Sequence, residues 1–138
     1  MKLKNQEEIN NCDNNDLSSF CEKERLSYRW VFEDINDIRN FQPKYLLDTS
    51  IKRNDACGWA LSFYETEQHA KKKIDRLLSI RQNLYKKLGT HIAEGILKIT
   101  DGISNNSNSE RHFDLFEYEN ITLNLNFKIV TEIIKSDD

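Results

Sequence analysis

Between Cys57 and Ile99 the apolar positions change period twice, from every second residue to every third or fourth and back again. The first stretch, Cys57 to Phe63 (CGWALSF), alternates and predicts a strand. Trp59, Leu61 and Phe63 fall on one face, and the small residues Gly58, Ala60 and Ser62 on the other. From Thr66 to Leu88 the apolar residues Ala70, Ile74, Leu77, Leu78, Leu84, Tyr85 and Leu88 recur at helical spacing. Thr66 suits the N-cap, Glu65 and Glu67 suit the positive helix start, and Gly89 is a stop. His91 to Ile99 then reads as a strand with apolar residues on both faces, the pattern of burial on both sides. This strand–helix–strand unit is the spine of the expected fold.

The flanking segments read as material that pairs with it. Leu26 to Glu33 (LSYRWVFE) predicts a strand with Tyr28, Trp30 and Phe32 on one face. Asp34 can cap a short helix carrying Ile35, Ile38 and Phe41, which Gln42-Pro43 ends because the residue before proline leaves the helical region. A polar connection follows from Lys44 to Ala56. Asp101-Gly102 marks a turn and residues 104–110 a polar loop. Two more strands follow, His112 to Tyr118 and Leu123 to Val130. The last alternates, with Leu123, Leu125, Phe127 and Ile129 facing inward. The tail, TEIIKSDD, extends that strand and frays. Residues 1–24 are polar and Asn-rich and are expected to be partly disordered. Leu17, Phe20 and Cys21 can form the apolar face of one short helix there, capped by Asp16. Residues 25–138 form a single domain. Strands crowd the end of the chain without helices between them, which favours an α+β fold. The expected sheet is mixed or split, of about five strands, with one long amphipathic helix and one or two short ones.

Composition narrows the function classes. The 138 residues suit one domain. A net charge of -3 leaves no global basic field for nucleic acid. The three cysteines, Cys12, Cys21 and Cys57, are odd in number and lack any CxxC, so neither a disulfide framework nor a metal site is expected. No apolar run is long enough to span a membrane. The start has no apolar signal region, and a cytoplasmic protein is expected. Its Asn, Lys and Ile content points to an AT-rich, bacterial or viral genome.

Phosphate-loop, dinucleotide-loop, zinc-protease and nucleophile-elbow motifs do not occur. His69 and His91 read as surface or structural residues, and Cys57 has no base beside it in sequence. His112 opens a strand next to the polar loop, a position where sites are often built. Lys71, Lys72, Lys73 and Arg76, with Lys86 and Lys87 further on, give the long helix a basic face. That face is a solvated surface by default and a nucleic-acid contact through phosphates at most.

The order of these segments resembles ADP-ribosyltransferase-like folds. YRW offers an early-strand Arg29, and ALSFYETEQHA offers Ser62 just before a helix. THIAEGILKI is similar to the returning strand, and HFDLFEYENITLNLNFKIV to the closing segment of poly-ADP-ribose polymerases. The resemblance implies NAD as cofactor, with Arg29, Ser62 and His112 as catalytic positions. It also implies aromatic walls around the cofactor from Tyr28, Trp59, Phe63 and Tyr64. One departure matters. His112 occupies the place of the family's glutamate, with Glu110 two residues earlier, and histidine stabilises a cationic sugar less well. The resemblance therefore implies either an active variant or a scaffold that binds without transferring, in a bacterial or phage conflict system. The alternative is an interaction module with a protein partner: an inhibitor, immunity protein or antitoxin.

Overall fold

The alternating run RLSYRWV forms strand β1 (Arg25–Val31), which takes the middle of a sheet in a computed structural model that describes residues 2–134. Its neighbours are β2 (Leu61–Tyr64) and β3 (His91–Leu97). Beyond β2 lie β5 (His112–Glu117) and β4 (Gly102–Ser104), and beyond β3 lies β6 (Phe127–Glu132). The order is β4-β5-β2-β1-β3-β6 and every pair is antiparallel. The fold is α+β, but the sheet has six strands and is not mixed. Strands β2 and β3 run the same way and are joined by the helix α3 (Glu67–Ile80). Because β1 lies between them, they never pair with each other. The additional strand, β4, falls where the sequence suggested only a turn and a loop.

Pairing along β1 is uneven. It matches β3 along its whole length, from Arg25 opposite Leu97 to Val31 opposite His91. It meets β2 in register only at Tyr28 opposite Tyr64. Past that point the two strands part.

Each face of the sheet has its own cover. Helix α3 lies over Tyr28, Tyr64 and Ile92, packing Ala70 against them, and its Ile74 is buried too. The Trp30 indole N–H donates to the Ala70 carbonyl at 2.8 Å and ties helix to sheet. On the opposite face Val31, Leu61, Phe63, Phe113, Leu115 and Phe127 form a second cluster, closed over by Ile35 and Phe41. A third cluster joins Ile9 of a short helix α1 (Gln6–Asn10), Cys12, Tyr45 of α2 (Lys44–Leu47), Trp59, Phe116 and Tyr118.

Several sequence expectations are corrected here. The N-terminal segment is docked on the domain: Leu3 bridges to Tyr118, Cys21 pairs with Ser104, and Ile9 is buried. Asp16 caps no helix; its carboxylate accepts from the Ser18 N–H in a turn. Residues Ile38–Phe41 form a single 3-10 turn capped by Asp37, while Asp34 makes its own turn with Asn36. The expected strand at Cys57 starts only at Leu61. Asp55 accepts from the Cys57 N–H and winds Ala56–Trp59 into a 3-10 turn. Gly58 fits there because the Tyr45 ring lies where a Cβ would stand, 2.1 Å away. Thr66 caps α3 as expected, accepting from the His69 N–H. The helix stops at Ile80, though, because Arg81 is extended, and a short α4 (Tyr85–Leu88) follows. Leu123–Asn126 is a 3-10 turn, so Leu125 is 78% exposed and does not face inward. The tail expectation holds a strand to Glu132; residues 135–138 lie outside the described residues.

A register shift opposite Ile92 and Ala93 leaves Val130 as an extra residue in β6. Bulges of this kind kink an edge strand and interrupt the row of backbone groups it offers to another chain.

Candidate ligand-binding cleft

Where β1 and β2 part, a cavity of about 650 Å³ opens. This lies within the size range of small-ligand sites, about 300 to 1,000 Å³. Its floor is Arg29, Leu61 and Ser62. One wall is the segment that follows β1, with Phe32, Arg39 and Asn40; another comes from α2, with Lys44, Leu47 and Asp48; the third is α4, with Lys86, Lys87 and Leu88. Trp30 and Tyr64 add aromatic surface. Five cationic side chains, Arg29, Arg39, Lys44, Lys86 and Lys87, thus face one carboxylate, Asp48.

Arg29 holds the parted strands together. Its Nε donates to the Asn40 carbonyl at 2.9 Å and its Nη1 to the Ser62 carbonyl at 2.8 Å. The guanidinium lies near the Phe41 and Phe63 rings, 5.5 and 5.2 Å from their centroids. Among the described residues no carboxylate pairs with it. Desolvation draws its pKa down to about 10, against a weak opposing pull from Glu117, whose own carboxylate is bonded to Lys4. A cation at such a site, with N–H groups to spare and no counter-charge, is a strong local preference for an anion.

The other cations differ in how far they are engaged. Arg39 is bound to Asp37 and lies 3.7 Å above the Phe32 ring. Lys44 and Lys87 both lower the Asp48 carboxyl, though its bonds from Ser50 weigh more. Among the described residues neither Lys44, Lys86 nor Lys87 has an ion pair.

The residues singled out from the sequence divide into separate places. Arg29, Ser62 and Tyr64 line the cleft. His112 does not. It stands on β5 opposite Tyr64, its ring edge-on to that tyrosine and its Nε2 3.7 Å from Asp114. Burial raises the Asp114 carboxyl, and His112 partly offsets this. Glu110 is farther out, bonded to Lys73 and Arg76 of α3. Tyr28 is buried and donates to Glu94. Phe63 is stacked on Phe113 in the core, and Trp59 packs edge-on to Tyr45 in the third cluster. Cys57 lines the cleft, but desolvation, then Asp114 and Asp55, push its thiol up to about 11, so it is no thiolate at neutral pH.

Charges on the expected basic helix face are largely spent. Lys71 pairs with Asp75, and Lys73 and Arg76 share Glu110, which leaves Lys72. Phe32, Arg39 and Lys44 were not candidates in the sequence, and Lys86 and Lys87 entered only as part of the basic face of one long helix. They come from three segments whose meeting is set by the strand parting and by the helix break at Arg81, neither of which leaves a periodic signal.

Among the described residues, no group of three or more His, Cys, Asp or Glu side chains is arranged to hold a metal ion, and no helix is long and apolar enough to cross a membrane. No protein-family model matches the chain, and no curated protein or solved structure matches it either.

Proposed function

We propose that the cleft between β1 and β2 binds a small anionic ligand of the nucleotide class, NAD or an ADP-ribose-like molecule, without transferring it. The observation that carries this is a set of four cationic side chains outside any ion pair among the described residues, Arg29, Lys44, Lys86 and Lys87, facing one carboxylate, Asp48, around a cavity that also presents Trp30, Phe32 and Tyr64. Binding fits better than transfer because the acid-position candidates, His112 and Glu110, stand outside the cleft. A transferase needs a group near the reacting sugar to stabilise its positive charge. The family resemblance remains a reading from segment order.

Isothermal titration with NAD and with ADP-ribose tests the proposal. Saturable binding of either at micromolar to millimolar concentration, about 4 to 8 kcal/mol, is expected. Nicotinamide release from NAD, followed by chromatography, is expected to stay at the level of buffer. Absence of binding by both ligands would remove the nucleotide reading, and enzymatic release would remove the non-transferring one.

A second reading, an interaction module, is favoured by one observation. Leu26 and Ile96 are cross-strand partners on β1 and β3, yet they are 50% and 48% exposed beyond the cover of α3. If a partner protein uses this pair, Leu26→Ser with Ile96→Ser abolishes its capture without altering thermal stability by more than about 1 kcal/mol. Unchanged capture by the double variant would dismiss this surface.

A further inference from the structure

The cleft is chemically divided, and the division says how a ligand would lie in it. On one side the Arg39 guanidinium covers the Phe32 ring at 3.7 Å, and both line the cavity. Asp37 anchors Arg39 through its Nε at 3.1 Å and its Nη2 at 2.7 Å, so the guanidinium plane is fixed rather than waving in solvent. A fixed guanidinium on an aromatic ring is a flat, weakly hydrated platform of the kind on which bases stack. Lys86 and Lys87 of α4 and Lys44 of α2 line the same cavity from two other segments. Ammonium groups act as point charges and suit a polyanion with several oxygens. Asp48 answers only part of that charge.

We propose that the rim formed by Lys44, Lys86 and Lys87 reads the phosphates of a nucleoside diphosphate-type ligand, whose planar ring lies on the Arg39–Phe32 platform. This rests on the nucleotide reading of the cleft above and adds the orientation and the groups that recognise each half. A second consequence concerns selectivity. A free nucleoside meets the platform alone and inorganic pyrophosphate meets the rim alone, so each binds more weakly than the joined molecule. The cations of α3 take no part, because Lys71, Lys72, Lys73 and Arg76 do not line the cavity and three of them pair with Asp75 and Glu110.

Titration of the whole chain with ADP-ribose, adenosine and pyrophosphate tests the division. Four proteins are compared: wild type, Lys86→Glu with Lys87→Glu, Arg39→Ala, and a control carrying Lys71→Glu with Lys72→Glu. The rim variant is expected to lose about a hundredfold in ADP-ribose affinity and to lose pyrophosphate binding, with a shallower salt dependence than wild type. Arg39→Ala is expected to weaken adenosine and ADP-ribose about tenfold and to leave pyrophosphate unchanged. The control is expected to match wild type within about twofold, since screening confines surface charges to about 8 Å at physiological salt. Circular dichroism confirms that each variant is folded before titration. Equal ADP-ribose affinity in wild type and rim variant overturns the rim assignment while leaving the cleft as a nucleotide site. Equal loss in the control and the rim variant overturns it too, as a general charge effect. Failure of wild type to bind any of the three overturns the nucleotide reading and this inference with it.

Discussion

Phe113→Ala is expected to lower the free energy of unfolding by about 4 kcal/mol, in the range for deleting a fully buried aromatic side chain. Phe113 is 0% exposed, stacks on Phe63 at 5.6 Å with the planes 17° apart, and sits in the core cluster on the face opposite α3. A charge also rests on this ring: the Arg25 guanidinium lies 3.5 Å from its centroid. The loss therefore combines a cavity with the removal of a surface that a buried cation rests on. Urea denaturation measures it as a lower midpoint with an unchanged slope. A loss under about 1.5 kcal/mol would mean that the core relaxes around the gap and that the stack is not rigid.

The second large effect belongs to Arg25 itself. Its Nη1 donates to the Ser104 hydroxyl and the Asn105 carbonyl, and its Nη2 to Glu65 and the Ser107 hydroxyl. One buried side chain thus fastens β1 to the loop after β4 and to the residue before the cap of α3. Arg25→Ala is expected to cost about 3 kcal/mol, since it leaves the Asn105 carbonyl and the Glu65 carboxylate short of partners. A double-mutant cycle with Phe113→Ala is expected to show a coupling of about 1 kcal/mol for the ring–cation contact.

Acid sharpens the same test. The Glu65 carboxyl is held below its ordinary range, first by the Ser107 hydrogen bond and then by Arg25, against an opposing effect of burial. A carboxylate with a lowered folded pKa gives stability that is present above the unfolded value and lost as pH falls through the folded one. Wild type should lose that contribution below about pH 4.5, the ordinary carboxylate value. Glu117 and Asp114 titrate in the opposite sense, because burial raises both. The difference between wild type and Glu65→Gln across pH 3 to 6 isolates Glu65. Parallel curves would show that the Arg25 fastening does not depend on that charge.

Local chemistry was legible in the sequence where one residue type dictates one geometry. Thr66 announced the start of α3, and the alternation of LSYRWV and HFDLFE announced β1 and β5. The failures have physical causes that a period cannot carry. Gly58 sits under the Tyr45 ring, a contact between residues thirteen positions apart, so CGW turns where alternation suggested a strand. Leu125 shares the rhythm of Leu123 and Phe127, but the backbone there winds instead of extending. Arg29 and Ser62 were picked out and do share a cleft, whereas His112 and Glu110 lie beyond it on another strand and its approach. Of the rim lysines, Lys44 fell in a polar connection, and Lys86 and Lys87 were read as a wet helix face because nothing in TEQHAKKKIDRLLSIRQNLYKKL signals that Arg81 leaves the helix.

The placement of β1 between β2 and β3 also fixes an order of events. Only β4 and β5 are neighbours both along the chain and in the sheet by a short connection. The long ladder of β1 must wait for residues 91–97, sixty or more positions later, before it can close. Chains whose contacts span such distances fold slowly, since the entropy of joining far segments is spent before contacts repay it. Until β3 arrives, the apolar row of β1 has no lasting shelter, and during synthesis its safekeeping falls to whatever covers a nascent chain.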